Sequence, residues 1–360
     1  MLIIPTTWMK QNTNQLVCLL ASVLLKSHQF FGSAYTRNTM IKNRPFQSLD
    51  KLYGHLDHTN LTGFEMIRSK NLFLTVCLMF SAAWAKVSVV TSTTDLADIT
   101  ETIGGNRVKV VSIARGTQDP HYVEVLPSYM IKVKRADIYL KVGMELDRWA
   151  QQIIDGSRNR ELIIVDCSKN IPRLGIPTGK IDARMGDIHR YGNPHYWLDP
   201  ENATIIGETI VEALSQADPG GESVYRENLR QFSQEIDDKL QSWKEDYSDL
   251  YGQKVIFYHN TWPYFTNRFG LDVVQFVEPK PGIMPTPSHM ERLISIIMED
   301  NIKVVAMEPY FSDKVPNFLS DKTGVTVVRM AQSVGAQLPA KSYIEMIDYN
   351  LEILRSVLFK

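Results

Sequence analysis

Residues 221–250 read GESVYRENLRQFSQEIDDKLQSWKEDYSDL. Within them Tyr225, Leu229, Phe232, Ile236, Leu240, Trp243, Tyr247 and Leu250 step by 4, 3, 4, 4, 3, 4 and 3 residues. That spacing is a single apolar stripe on a helix whose other faces are charged. A helix continuous over 221–250 would be about 45 Å long at 1.5 Å per residue. A rod of that length can tie two domains at a fixed separation or lie along the surface of one.

On both sides of it, short β-type runs alternate with helical patterns. Upstream, 86–92, 108–114, 136–142 and 162–166 read as strands, and 96–103, 127–135, 146–154 and 202–214 as helices. Downstream, 254–258, 273–277, 304–307 and 325–329 read as strands, and 262–269, 287–300, 314–321 and 342–358 as helices. Short, continuously apolar strands between helices indicate parallel sheets covered on both faces. The expected fold is α/β with two lobes, each a four-stranded, mostly parallel sheet with flanking helices, joined by one long α-helix. The divisions are 86–218 for the N-terminal lobe, 219–251 for the linking helix and 252–360 for the C-terminal lobe. Residues 169–200 break the alternation with a Pro- and Gly-rich stretch, a long loop of the kind that usually carries function.

The 360 residues carry a net charge of −1, which excludes a broadly basic nucleic-acid binder, and three cysteines cannot form a disulfide framework. The charge is unevenly spread. Residues 1–85 hold eight Lys/Arg against three Asp/Glu, whereas 86–360 hold 31 against 37 and a single cysteine, Cys167. Residues 66–85, MIRSKNLFLTVCLMFSAAWA, have the parts of a secretory signal: Arg68 and Lys70, a short apolar core, and Ala83-Trp84-Ala85 before Lys86. The apolar core is about half the ~20 residues that span a bilayer. Cys77 lacks the small neighbours of a lipid-acceptor site. Translation from Met66 is expected, with 1–65 an upstream extension mis-assigned to the chain. The exported product is then periplasmic, soluble and without a lipid anchor.

Five histidines lie beyond the leader: His121, His189, His195, His259 and His289. His121 closes Gln118-Asp119-Pro120-His121 after a predicted strand. His259 ends Val255-Ile256-Phe257-Tyr258-His259. In open α/β sheets, ligands gather outside the carboxyl ends of strands, so histidines of both halves could meet there. Spacing does not establish it, since 74 and 64 residues separate His121, His195 and His259, unlike the close pairs of zinc fingers. Each is open as a surface, core or ligand residue.

Asp119-Pro120-His121, Gly192-Asn193-Pro194-His195-Tyr196-Trp197-Leu198-Asp199-Pro200, Tyr258-His259 and Glu278-Pro279-Lys280-Pro281-Gly282-Ile283 occur in one order along the chain. In these phrases, and over essentially all of 86–360, the sequence resembles the zinc/manganese substrate-binding proteins of bacterial ATP-binding-cassette importers. The resemblance implies two lobes linked by a rigid helix, and metal ligands at His121, His195 and His259. The family's fourth ligand is usually an Asp before a Ser; here the matching stretch holds Gln332 before Ser333. An amide carries no charge, so a neutral three-histidine set would hold the cation with fewer anions. Water, Gln332, Glu278 or His189 could complete the shell. Glu278 is expected chiefly to hold the Pro-Lys-Pro-Gly turn, Glu308 to support the cleft as an acceptor, and His289 to lie at the surface.

Three imidazoles suit zinc, whereas carboxylates and water suit manganese. The function implied is capture of a divalent transition metal, Zn2+ before Mn2+, as transported ligand, and delivery to an importer's membrane permease. Binding of that kind should weaken as pH falls through about 6.5, where imidazole protonates. A monomer with no nucleic-acid partner and no catalytic activity is expected. A zinc hydrolase would also use three protein ligands, but no H-E-x-x-H is present and no motif places a general base. An iron–chelate binder would line its cleft with aromatics such as Tyr196, Trp197, Tyr258 and Trp262, which are better read as core or wall.

Overall fold

The structure, a computed structural model, describes residues 86–178 and 189–360. The leader at 66–85 and the extension at 1–65 lie outside the described residues. Val- and Ile-rich runs that cannot pack as an exposed surface form the strands β1 (Val87–Thr91), β2 (Val108–Ser112), β3 (Ile138–Lys141) and β4 (Ile163–Asp166). They alternate with the helices α1 (Thr94–Gly104), α2 (Pro127–Lys134) and α3 (Trp149–Ser157). Two long helices follow, α4 (Pro200–Ala217) and α5 (Glu222–Asp246).

The pattern then repeats. Strands β5 (Lys254–Phe257), β6 (Asp272–Phe276), β7 (Val304–Met307) and β8 (Thr326–Arg329) alternate with α6 (Pro263–Phe269), α7 (Pro287–Glu299) and α8 (Lys314–Thr323), and α9 (Tyr343–Leu358) closes the chain. Both sheets are wholly parallel and have the same strand order, β2-β1-β3-β4 and β6-β5-β7-β8. In each the chain reverses direction of winding after its second strand, so the carboxyl ends of the first and third strands face a switch point where ligands gather.

The long helix is shorter than its periodicity implies. It ends at Asp246, because Tyr247 leaves helical geometry at φ −116° and ψ 23°, and a 3₁₀ turn over Ser248–Leu250 follows. The stripe persists through that turn because Leu250 is still buried. Twenty-five residues give about 37 Å rather than 45 Å. Its apolar face, Tyr225, Phe232, Ile236 and Trp243, is buried in a core that also takes in Val89 and Leu140 of the first sheet and Val255 and Val304 of the second. It packs on α1 and α4, and it is tied to α9 where Trp243 Nε1 and Lys239 Nζ both donate to Asp348, at 2.6 and 2.8 Å.

Candidate metal centre

Two of the histidines are set by one local device used twice. In Asp119-Pro120-His121, Asp119 Oδ1 accepts from the backbone N–H of His121 at 2.9 Å and from its Nδ1 at 2.8 Å. In Asn193-Pro194-His195, Asn193 Oδ1 does the same for the N–H and Nδ1 of His195, both at 3.0 Å. An Asp or Asn oxygen reaching two residues on is an Asx turn, and the intervening proline fixes the backbone for it. Asn193 is itself held, since its amide donates to the Asn260 carbonyl at 2.7 Å. His259 follows β5, and its Nδ1 donates to Glu278 Oε2 at 2.7 Å; the same oxygen accepts from the Gly282 N–H at 3.1 Å.

An acceptor-only oxygen on each Nδ1 requires that nitrogen to carry the proton. In its neutral form each ring therefore presents Nε2 as a lone pair. For His195, which is 1% exposed, that Nε2 is buried without a hydrogen-bond partner. A buried lone pair without a partner in the protein is costly.

The three rings meet. Ring centroids are 5.2 Å apart for His121–His195, 5.7 Å for His121–His259 and 6.2 Å for His195–His259. Imidazoles bound to one tetrahedral zinc at about 2.0–2.1 Å set their centroids about 5 Å apart. The first pair is at that separation, and His259 stands up to about 1 Å outside it. Accordingly, among the described residues no group of three or more His, Cys, Asp or Glu side chains already has the geometry to hold a metal ion. His189 also lies here, its Nε2 3.2 Å from His121 Nε2 and its ring stacked on His121 at 5.2 Å.

The electrostatics differ from ring to ring. Burial pushes the His195 imidazole well below its ordinary pKa, and the neighbouring histidines push the same way. Burial also acts to lower His259, but the hydrogen bond to Glu278 and the charge of Glu308 outweigh it, so its pKa is raised. Burial would raise the Asp119 carboxyl, yet its bonds to His121 hold it below the usual range. Glu308 is fully buried, accepts from Trp262 Nε1 at 2.9 Å, and is pushed up to about 7 by burial, although His259 pulls it down.

Several expectations change. Asp119 and Glu278 each bond one of the three rings from behind. Glu278 does hold the Pro-Lys-Pro-Gly turn, through Gly282, but with the same oxygen it orients His259. His289 is not a surface residue: it is 4% exposed, and its Nε2 bonds the Phe276 carbonyl at 3.0 Å, tying α7 to β6. Gln332 is fully buried, its amide donates to the Gly116 carbonyl at 2.7 Å, and its Oε1 is left without a partner. The roles of Asp119 and Asn193 were missed, though the repeated Asp/Asn-Pro-His is a usable signal. Tyr196, Trp197, Tyr258 and Trp262 are all buried as core or wall.

Comparison with known proteins concerns the chain as a whole. Residues 89–357 match the model of a family described as zinc-uptake complex component A, periplasmic. The manganese-binding lipoprotein MntA of Halalkalibacterium halodurans is 26% identical over 272 residues, covering 74% of this chain and 86% of that protein. The iron-binding protein YfeA of Yersinia pestis is 26% identical over 276 residues, 75% of this chain and 85% of its own. A Mn-bound periplasmic metal-binding protein from Candidatus Liberibacter asiaticus superposes with a TM-score of 0.64 at 23% identity, over 76% of this chain and all of the other. MntA is named a lipoprotein, so the expectation of a product with no lipid anchor is not borne out by the relatives. Among the described residues no helix is long and apolar enough to cross a membrane.

Proposed function

Since the chain belongs to the periplasmic zinc-uptake complex component A family, we propose that it captures Zn2+ on Nε2 of His121, His195 and His259. Proteins of this family are extracytoplasmic, metal-binding solute-binding components of ATP-binding-cassette importers and not enzymes. The cargo is handed as a bare ion to the importer's permease, and the binding protein works as a monomer with no nucleic-acid partner.

The observation that carries the reading is the shared orientation of the three rings, each with Nδ1–H spent on an oxygen and Nε2 left for a cation. Oxygen behind the imidazole fixes its tautomer and raises its basicity, the usual support of a metal-binding histidine. Asp119 and Glu278 also place two negative charges behind a site whose front is neutral. That arrangement stabilises a divalent ion without putting a carboxylate on it.

The choice of zinc rests on donor type. Imidazole suits Zn2+, and manganese is favoured by oxygen shells. MntA binds manganese and YfeA iron by name, so relatives of this chain carry different metals. The resemblance implies a ligand at position 259, which is His in this chain.

Competition of Zn2+ and Mn2+ for the metal-free protein, against chromophoric chelators at pH 8, tests both parts. Zinc should bind at one equivalent and far more tightly than manganese, and His259→Ala should lose most of that affinity. Equal affinity for the two metals refutes the zinc assignment. Full zinc affinity in the His259→Ala protein refutes the site.

A further inference from the structure

Resting on that reading of the site, we propose that His189 is a fourth ligand, so that this chain holds its metal with four imidazoles. Gln332, buried with its Oε1 unpartnered, stands where the resemblance implies an anionic ligand, and a neutral amide oxygen is a weaker donor than imidazole nitrogen toward zinc. Two nitrogens on one tetrahedral zinc, each at about 2.0–2.1 Å, lie about 3.3 Å apart. The 3.2 Å between Nε2 of His189 and Nε2 of His121 is that separation, and their rings are spaced at 5.2 Å, like those of His121 and His195. His121 Nδ1–H is already committed to Asp119. Its Nε2 is then a lone pair, so in the metal-free protein the close contact is a hydrogen bond donated by His189.

The backbone at His189 is held rather than left to chance. The Arg190 N–H donates to Glu145 Oε2 at 3.2 Å, and Glu145 is steadied by an ion pair to Arg148 at 2.7 Å. The His189 carbonyl accepts from the Gly192 N–H at 3.3 Å, closing a turn that ends at Gly192 with φ 106°. The Asn193 N–H then bonds the Leu174 carbonyl at 2.7 Å. The chain between His189 and His195 is thereby pinned at three points, and the two imidazoles it carries approach His121 from one strand of chain.

The test compares zinc affinity and the visible spectrum of the Co2+-substituted full-length protein for His189→Ala, Gln332→Met and His121→Ala. His189→Ala should weaken zinc by about 100-fold or more, beyond the 10–100-fold typical of a partner that only supports a ligand. It should also shift the cobalt ligand-field bands as nitrogen is replaced by water oxygen. Gln332→Met should leave the cobalt bands in place. A loss under about 10-fold with unchanged cobalt bands in His189→Ala overturns the proposal, as does a band shift in Gln332→Met instead. His121→Ala separates the two levels: if it too retains zinc, the site reading itself has failed, and if it alone loses zinc, only the role of His189 has. The unliganded melting temperature of His189→Ala, a partly exposed residue, should match the parent and so exclude misfolding.

Discussion

Glu278 offers the sharpest perturbation, because one oxygen serves two donors. Its Oε2 accepts from His259 Nδ1 at 2.7 Å and from the Gly282 N–H at 3.1 Å, at a site only 7% exposed. Glu278→Gln keeps an acceptor of the same shape but removes the charge, and Glu278→Ala removes both. A hydrogen bond to a charged group is worth about 1.5–3 kcal/mol. If about 2 kcal/mol of that is spent on orienting and polarising His259, zinc affinity falls about 30-fold in Glu278→Ala. Glu278→Gln should fall between that value and the parent. The assay is chelator competition at pH 8, above the ordinary pKa of imidazole. Thermal unfolding of the metal-free proteins separates a loss of orientation from a loss of fold. Zinc affinity within about twofold of the parent in Glu278→Ala, with the fold intact, would refute the claim that a carboxylate behind the ring tunes it.

Further predictions concern the frame. Asp95 is fully buried, and burial pushes its carboxyl to about 7 although the Val334 N–H and Ser333 hydroxyl oppose this. The unfolded chain releases that proton near 3.8 and the fold keeps it to about 7. The native state therefore binds more protons in this window, and stability falls as pH rises through it, then levels off. Asp95→Asn, which can still accept from Val334 N–H, should flatten part of this fall in melting temperature between pH 4 and 8; an unchanged slope would contradict it. Arg268 makes a two-pronged pair with Asp199 at 2.7 and 2.9 Å, joining α6 to the N-cap of α4. Arg268→Ala should cost about 2 kcal/mol in denaturant unfolding, since it leaves a mostly buried carboxylate unpaired; no change would show the pair to be idle. Ile236, fully buried on α5, should cost about 2–5 kcal/mol when replaced by Ala, and a loss below about 1 kcal/mol would place the helix outside the core.

Much of this architecture is legible in the sequence because it follows from period and punctuation. The stripe from Tyr225 to Leu250 predicts a helix, and Val-rich runs such as 87–91 and 304–307 predict buried parallel strands. The end of α5 was not legible, since a 3₁₀ turn advances three residues and keeps Leu250 on the buried side. His289 reads as a surface residue because it sits at a helix start, yet the carbonyl of Phe276, thirteen residues earlier, buries it. At the site, the motif Asn193-Pro194-His195 does predict its own geometry, because donor and acceptor are two residues apart. The bond from His259 to Glu278 spans nineteen residues, and the contact of His189 with His121 spans sixty-eight. Neither has a local signal, because both depend on how two sheets and a loop are placed around one point.

On the reading proposed above, three imidazoles, each held from behind by an oxygen, converge on one metal ion. A crystal structure of the zinc-loaded protein, with the metal located by its anomalous scattering, tests it most directly. One zinc is expected at about 2.0–2.1 Å from Nε2 of His121, His195 and His259, with Nδ1 of each still on Asp119, Asn193 and Glu278. Zinc held elsewhere, or by carboxylate oxygens with these rings turned away, would contradict it.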